Sequence, residues 1–471
     1  MKTNLKQVHL LFFLLASWWP LAIMAATLGS ATPDFPFAEP EFETLRDGEI
    51  VDNETITALA QDARGLIWIG TQTGLVRYDG YRFRKFSHKP SDPFSLAGDF
   101  VFSLAATKDG RLWVGTMNDG ISVFDPATLR FEHFRHDEKV AESLSGGGIW
   151  AMTPDGRGGM WIATDQGLDH LIVGSKHFKH FRHSLDPRSL MDNKLRSLLL
   201  DKAGRLWVGS SSGLQRLAAD GKSFETIVKG RSVQTLFEAQ DGKLWFGTGE
   251  HGAGWVGDAP PDSMPQVHWL PLAQLSHPWV ARITQVHTDQ IWLATAGGGI
   301  MVVAAADGHI LQTLRHDSQL AGSLASDTLK PLLLDRSGWL WVGTWGGGLQ
   351  RMNANNNSLL RLLRHSAKRP NGLSHANVRS LLELADGRLI FGSEGNGIDI
   401  FDRQRGLIGG YRAVQRQGEG QAGVLPDSTI YALAQTSDGS IWAGTQQAGV
   451  VRKMPGSPAW VSVPGLPSPQ A

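Results

Sequence analysis

Apolar and polar positions alternate in short bursts along this chain. Thr55-Ile-Thr-Ala-Leu-Ala60 alternates with period two and predicts a half-buried strand. Asp62-Ala-Arg-Gly65 is a turn, and the nearly continuous apolar stretch Leu66–Thr71 predicts a second strand. Thr73-Gly74 turns the chain again, Leu75–Tyr78 gives a third strand and Phe83–Phe86 a fourth. No long helical periodicity interrupts this grammar.

The same grammar repeats. Aligned on the tryptophan of a Leu-Trp-Val-Gly-Thr core, the units fall at Trp68, Trp113, Trp161, Trp207, Trp245, Trp292, Trp341, Ile390 and Trp442, spaced by 38 to 52 residues. A period near 45 residues suits four short strands and their turns, the size of one propeller blade. The fold class expected is therefore all-β, a β-propeller of four-stranded antiparallel blades with nine repeat units. Either seven close a ring and two follow as extra blades, or all belong to a single larger ring. Glu41–Leu45 is a stray strand ahead of the first full unit, of the kind that completes the last blade of a ring.

The connections carry patterns of their own. First-to-second strand turns recur as Asp109-Gly110, Asp155-Gly156, Asp201–Gly204, Asp241-Gly242, Asp386-Gly387 and Asp438-Gly439. Aspartate bonds neighbouring backbone while glycine supplies positive φ, as a tight hairpin needs. The loop after the fourth strand holds a histidine, as in Phe86-Ser-His88, Phe134-Arg-His136, Phe181-Arg-His183, Leu314-Arg-His316 and Leu363-Arg-His365, and a Ser-Leu or Gly-Leu follows each. The unit around Trp245 departs from the pattern. There Gly249–Gly254 and a proline-rich stretch are expected to replace the usual third and fourth strands.

The repeated tryptophans predict an inter-sheet core, whereas Trp269, Trp279 and Trp345 lie off that position and are expected to be more exposed. Gly209-Ser-Ser-Ser-Gly213 fits a nucleophile-elbow pattern but stands between two strands, so no catalytic role is assigned to it. His177, His180 and His183 alternate faces of a strand and do not converge on a metal. No cofactor, metal or catalytic residue is expected.

Composition narrows the class. Among 471 residues, 45 basic and 45 acidic side chains cancel, which argues against electrostatic capture of nucleic acid. There is no cysteine, hence no disulfide. Lys2 and Lys6 precede an apolar run ending in small residues, so residues 1–26 read as a signal peptide and the chain as periplasmic. The alternative is an inner-membrane anchor formed by residues 9–26. Residues 27–40 read as a linker, 41–365 as a propeller of seven repeats, and 366–471 as two further repeats with a C-terminal tail.

The unit Asp-x-x-Gly-x-Leu-Trp-Val-Gly-Thr-x-x-Gly-Gly-Leu-x-Arg, as at 335–351, resembles the two-component regulator propeller repeat. Residues 56–80 are similar to that family's usual first repeat. The resemblance implies the periplasmic sensor region of a hybrid histidine kinase or diguanylate cyclase, usually with two successive seven-bladed propellers. An immunoglobulin-like domain, a membrane helix and the cytoplasmic output domain normally follow. No kinase, cyclase or hydrolase motif stands in this chain, and a truncated sensor is one reading of it. The expected function is an exported, non-catalytic ligand-sensing module of a two-component or cyclic-di-GMP type system. The expected partners are a small-molecule or oligosaccharide ligand and a membrane sensor kinase or cyclase, with a dimer as one assembly state. The alternatives are a periplasmic propeller enzyme acting on a glycan or lactone, by lysis or hydrolysis, and a protein-interaction scaffold.

A ligand face follows from the turns. The Asp-Gly turns are short and uniform, while the second-to-third strand turns at the opposite end vary, and variable loops on a rigid scaffold usually bind. The candidate ligand-binding residues are Asn118, Asp119, Asp165, Gln166, Glu250, His251, Trp345, Glu394, Asn396 and Gln446.

Overall fold

The computed structural model describes residues 40–47, 50–257, 265–320, 322–355, 372–403, 405–413 and 424–465. The expected signal peptide 1–26, all of the linker but Pro40, and His365 lie outside them. The described residues form nine four-stranded antiparallel sheets. Among them the only helix is a 3-10 turn at Leu272–Gln274, and none is long and apolar enough to cross a membrane.

Two units contain these sheets, Pro40–Leu360 and a second from Arg361 onward. In Pro40–Leu360 the first sheet pairs Ile56–Gln61, Ile67–Thr71, Leu75–Tyr78 and Phe83–Phe86 in chain order, and five more sheets repeat that order. The seventh differs. Its first three strands are Leu329–Leu334, Trp339–Thr344 and Leu349–Asn353, and its fourth comes from the other end of the unit, Glu43–Leu45. Leu45 pairs with Leu349 and Glu43 with Arg351, whose Nε donates to Glu43 Oε2 at 2.8 Å. Each innermost strand lies beside that of the next sheet, and Leu329–Leu334 lies beside Ile56–Gln61.

Hydrophobic clusters occupy the gaps between facing sheets. One joins Trp68 of the first sheet to Leu112, Val114 and Phe124 of the second. Another joins Trp341 and Leu349 of the seventh to Ile56, Ile69 and Tyr78 of the first, so the two ends of the unit share a core. The repeated tryptophans are the centre of these clusters, as expected, with Trp68 and Trp245 fully buried. At Gly343 the glycine of the core permits the packing, whereas alanine holds this position in the Trp161 and Trp292 units. A Cβ on Gly343 would come within 2.7 Å of Ile56 Cγ2 on the neighbouring sheet.

In three repeats the turn aspartate serves the repeat's tryptophan. Asp335 Oδ1 accepts the backbone N–H of Ser337 and Trp339, closing the turn, while Oδ2 accepts Trp341 Nε1–H at 2.8 Å. Asp201 and Asp62 hold Trp207 and Trp68 in the same way, at 2.8 and 3.1 Å. The indole N–H, which would be costly to bury unpaired, is thus satisfied inside the core.

The unit around Trp245 corrects the sequence reading. It keeps both expected outer strands, Ala253–Val256 and Val267–Trp269. Small residues permit this. A Cβ on Gly254 would lie 2.3 Å from the His268 carbonyl oxygen, so glycine alone lets those strands pair closely.

The second unit holds two sheets, beginning at Val378–Glu383 and Ile430–Gln435. One cluster around Ile398, Ile430 and Trp460 fills the space between them. Leu381 and Tyr431 remain exposed, and Trp442 is only half-buried.

Candidate functional site

In every sheet the second-to-third strand turn and the loop leading to the next inner strand lie at the same end. The core threonine builds that end. Thr71, Thr116, Thr164, Thr248, Thr295, Thr344 and Thr445 each donate from Oγ1 to the carbonyl of a glycine closing the turn, at 2.8 to 2.9 Å. The same hydroxyl accepts a turn N–H, as from Asp119, Gln166 and His251. The loop histidines act similarly. Nδ1 of His88, His136, His183 and His316 bonds the carbonyl of Leu96, Leu144, Leu190 and Leu324 at 2.6 to 2.7 Å, which pins the Ser-Leu segment noted in the sequence. These histidines and threonines are scaffold. His180 pairs with Asp169 and His177 with Glu142, so His177, His180 and His183 serve three separate contacts.

Seven candidate residues belong to the seven-sheet unit. Asn118, Asp119, Gln166, Glu250 and Trp345 are exposed there. Asp165 is half-buried, and its Oδ1 has no hydrogen-bond partner among the described residues. His251 is half-buried and lines a peripheral cavity of about 490 Å³ with Lys229, Arg231, Trp269 and Leu272. The other three belong to the two-sheet unit. Glu394 accepts Arg379 Nε–H at 2.9 Å, Asn396 Nδ2 donates to Ser374 Oγ at 2.7 Å, and Gln446 is exposed. The ten residues are therefore divided between two units.

A second set of residues, which the sequence reading passed over, stands near the same end. Every inner strand of the seven-sheet unit has a register irregularity at its second residue. The residue before it is buried, and the second residue itself is half-buried in all seven sheets: Thr57, Phe102, Trp150, Arg196, Gln234, Ala281 and Lys330. A bulge frees one side chain from the alternation of the strand and re-aims it. Here the freed side chains meet one another. Phe102 and Trp150 pack edge to face with centroids 4.6 Å apart, and the Arg196 guanidinium lies 4.0 Å from the Trp150 ring centroid. Lys330 Nζ lies 5.2 Å from the Phe102 ring, although the inner strand of the first sheet neighbours those of both the seventh and the second. It lies 4.4 Å from the ring of Trp345, which ties this set to the turn face. Side chains from the inner strands of the seventh, second, third and fourth sheets thus meet in one cluster of aromatic rings and cations.

The charge on the bulge positions has one sign. None of the seven bulge positions carries a carboxylate. Burial holds the Lys330 ammonium below the ordinary lysine pKa. Burial also lowers the Arg196 guanidinium, with Asp192 pulling weakly the other way. Arg282, next to the small Ala281, keeps solvent access while surrounding protein depresses its pKa. None of the three makes an ion pair among the described residues. The signal that could have found them is positional: in each repeat, one unlike residue stands inside an otherwise uniform strand.

Comparisons with known proteins agree with this architecture. A family model described as two component regulator propeller matches residues 50–73, 95–118, 143–166, 189–212 and 424–447. Each match runs from the loop before an inner strand to the following turn. Curated proteins give no match. Among solved structures, the extracellular domain of BT3049 from B. thetaiotaomicron, described as a hybrid two component system, superposes with a TM-score of 0.71 at 21% identity, covering 88% of this chain and 54% of that one. The corresponding domain of BT4673 from the same organism gives a TM-score of 0.55 at 20% identity, covering 90% and 53%. This chain therefore spans about half the length of those relatives. Virginiamycin B lyase from Staphylococcus aureus, solved with quinupristin, shares the fold with a TM-score of 0.51 at 11% identity, covering 67% and 99%. The chain is an all-β, propeller-type protein that carries two-component regulator propeller repeats.

Proposed function

We propose that this chain is an exported sensor module that binds a small molecule or oligosaccharide at the turn-bearing end of its seven-sheet unit. In this reading Pro40–Leu360 is one closed ring of seven blades, locked by Glu43–Leu45, and the space between its inner strands is the ligand site. The observation that carries it is the meeting of Phe102, Trp150, Lys330 and Trp345 on bulged strands and an adjacent turn. Large rings left half-exposed are not needed for core packing, which the repeated tryptophans already supply. Likeness to extracellular domains of two-component systems supports an extracytoplasmic setting and an output through a membrane kinase or cyclase.

A thermal-shift screen of the full chain against mono- and oligosaccharides tests this. A ligand that raises the melting temperature should lose its effect in Trp345→Ala while the unliganded chain melts as before. A ligand whose effect survives Trp345→Ala, but is lost in Asp109→Ala and Asp241→Ala at the opposite end, would place the site elsewhere.

A further inference from the structure

We infer that the axial site selects a ligand that pairs a ring face with at least two anionic groups, such as a carboxylated or sulfated saccharide. The inference rests on the ligand-sensing reading above and adds the chemistry of recognition. Three observations carry it.

The first is the placement of cations. Lys330 and Arg196 occupy equivalent bulge positions on separate strands, and both reach the same pair of touching rings, Phe102 and Trp150. Each stands beside a different ring of that pair. A ligand lying on those rings would meet a positive group beside each.

The second is that neither cation makes an ion pair among the described residues. The nearest acid acting on Arg196 is Asp192, and its oxygens are already engaged by Lys194 N–H and Ser212 Oγ–H. Asp99 and Asp327, in the loops before two inner strands, accept the backbone N–H of His88 and His316. A partly buried cation that makes no ion pair is costly to hold, and a bound anion would offset that cost.

The third is the kind of stabilisation the free protein substitutes. Lys330 sits between the faces of Trp345 and Phe102, and Arg196 lies against Trp150. A cation–π contact is weaker than a well-formed charge-assisted pair in a desolvated site. An anion would draw the cations toward itself and free ring faces for stacking.

Calorimetric titration of the full chain with digalacturonate, a sulfated disaccharide, inorganic sulfate and neutral maltotriose tests the inference. The expected result is saturable binding of at least one anionic saccharide, weakened at least about tenfold in Lys330→Met and again in Arg196→Met. Inorganic sulfate should bind more weakly than the saccharide and compete with it. Carboxylate and sulfate sources are distinguished by which saccharide binds. Arg196→Lys, which keeps the charge, should retain more affinity than Arg196→Met, separating recognition from a folding defect. Maltotriose binding that Trp345→Ala abolishes, with no binding of either anionic saccharide, would overturn the anionic class and leave the sensing reading intact. Binding of the anionic saccharides that neither Met substitution weakens would overturn the site.

Discussion

Trp341 donates its indole N–H to Asp335 Oδ2 at 2.8 Å, inside the core and six residues along the chain. The pair explains why an acidic turn residue and a buried tryptophan recur together. Asp335→Ala should leave Nε1 buried without a partner and cost about 1–3 kcal/mol. Trp245 offers the converse case, because Ala239 stands where the aspartate would be and its Nε1 is unpaired. Ala239→Asp should raise the melting temperature, and a lower value would show that the fifth sheet lacks room for the motif.

Core position should matter more than residue type. Trp113 is buried between two sheets, and Trp113→Ala is expected to cost about 3–5 kcal/mol. Trp442 holds the same repeat position in the two-sheet unit but is only half-buried. Trp442→Ala should cost clearly less in a denaturant titration. Equal costs would mean that the two environments do not differ as described.

Closure of the seven-sheet unit depends on a strand of three residues. Phe42, buried beside Leu324 and Leu332, anchors Glu43–Leu45 against the seventh sheet. Phe42→Ala should destabilise Pro40–Leu360 by about 3–5 kcal/mol and speed hydrogen exchange at Leu349–Asn353. Unchanged protection of that strand would argue against closure by the N-terminal strand.

Acid should loosen the outer turns. Asp220 accepts the N–H groups of Lys222 and Ser223 and the Ser223 hydroxyl, and these bonds lower its pKa to about 2. A depressed carboxylate stabilises the fold above its unfolded pKa, and the contribution is lost as pH falls through the folded value. Melting temperature should therefore fall between about pH 4 and pH 2. Asp220→Asn should melt lower at neutral pH and show a shallower fall across that window. An identical pH profile in the variant would remove the turn from the account.

The repeat, its turns and the closing strand were legible in the sequence because each rests on local chemistry: alternation, an Asp-Gly pair, a Trp-x-Gly-Thr run. Trp345 was legible as exposed because it interrupts a glycine turn. The strands Ala253–Val256 and Val267–Trp269 were not, since glycine and proline there mask a pairing that depends on the absence of a Cβ at Gly254. Lys330, Arg196, Phe102 and Trp150 were passed over for another reason. In an alternating strand they read as ordinary solvent-side residues, and only the bulge and the convergence of inner strands bring them together.

The central claim is that the converging inner strands hold the ligand. Calorimetric titration of the wild-type chain and of a Trp150→Ala/Trp345→Ala variant, with the best ligand from the screen, tests it most directly. The account predicts at least about tenfold weaker binding in the variant, with retained cooperative unfolding. Equal affinity in the two proteins would contradict it.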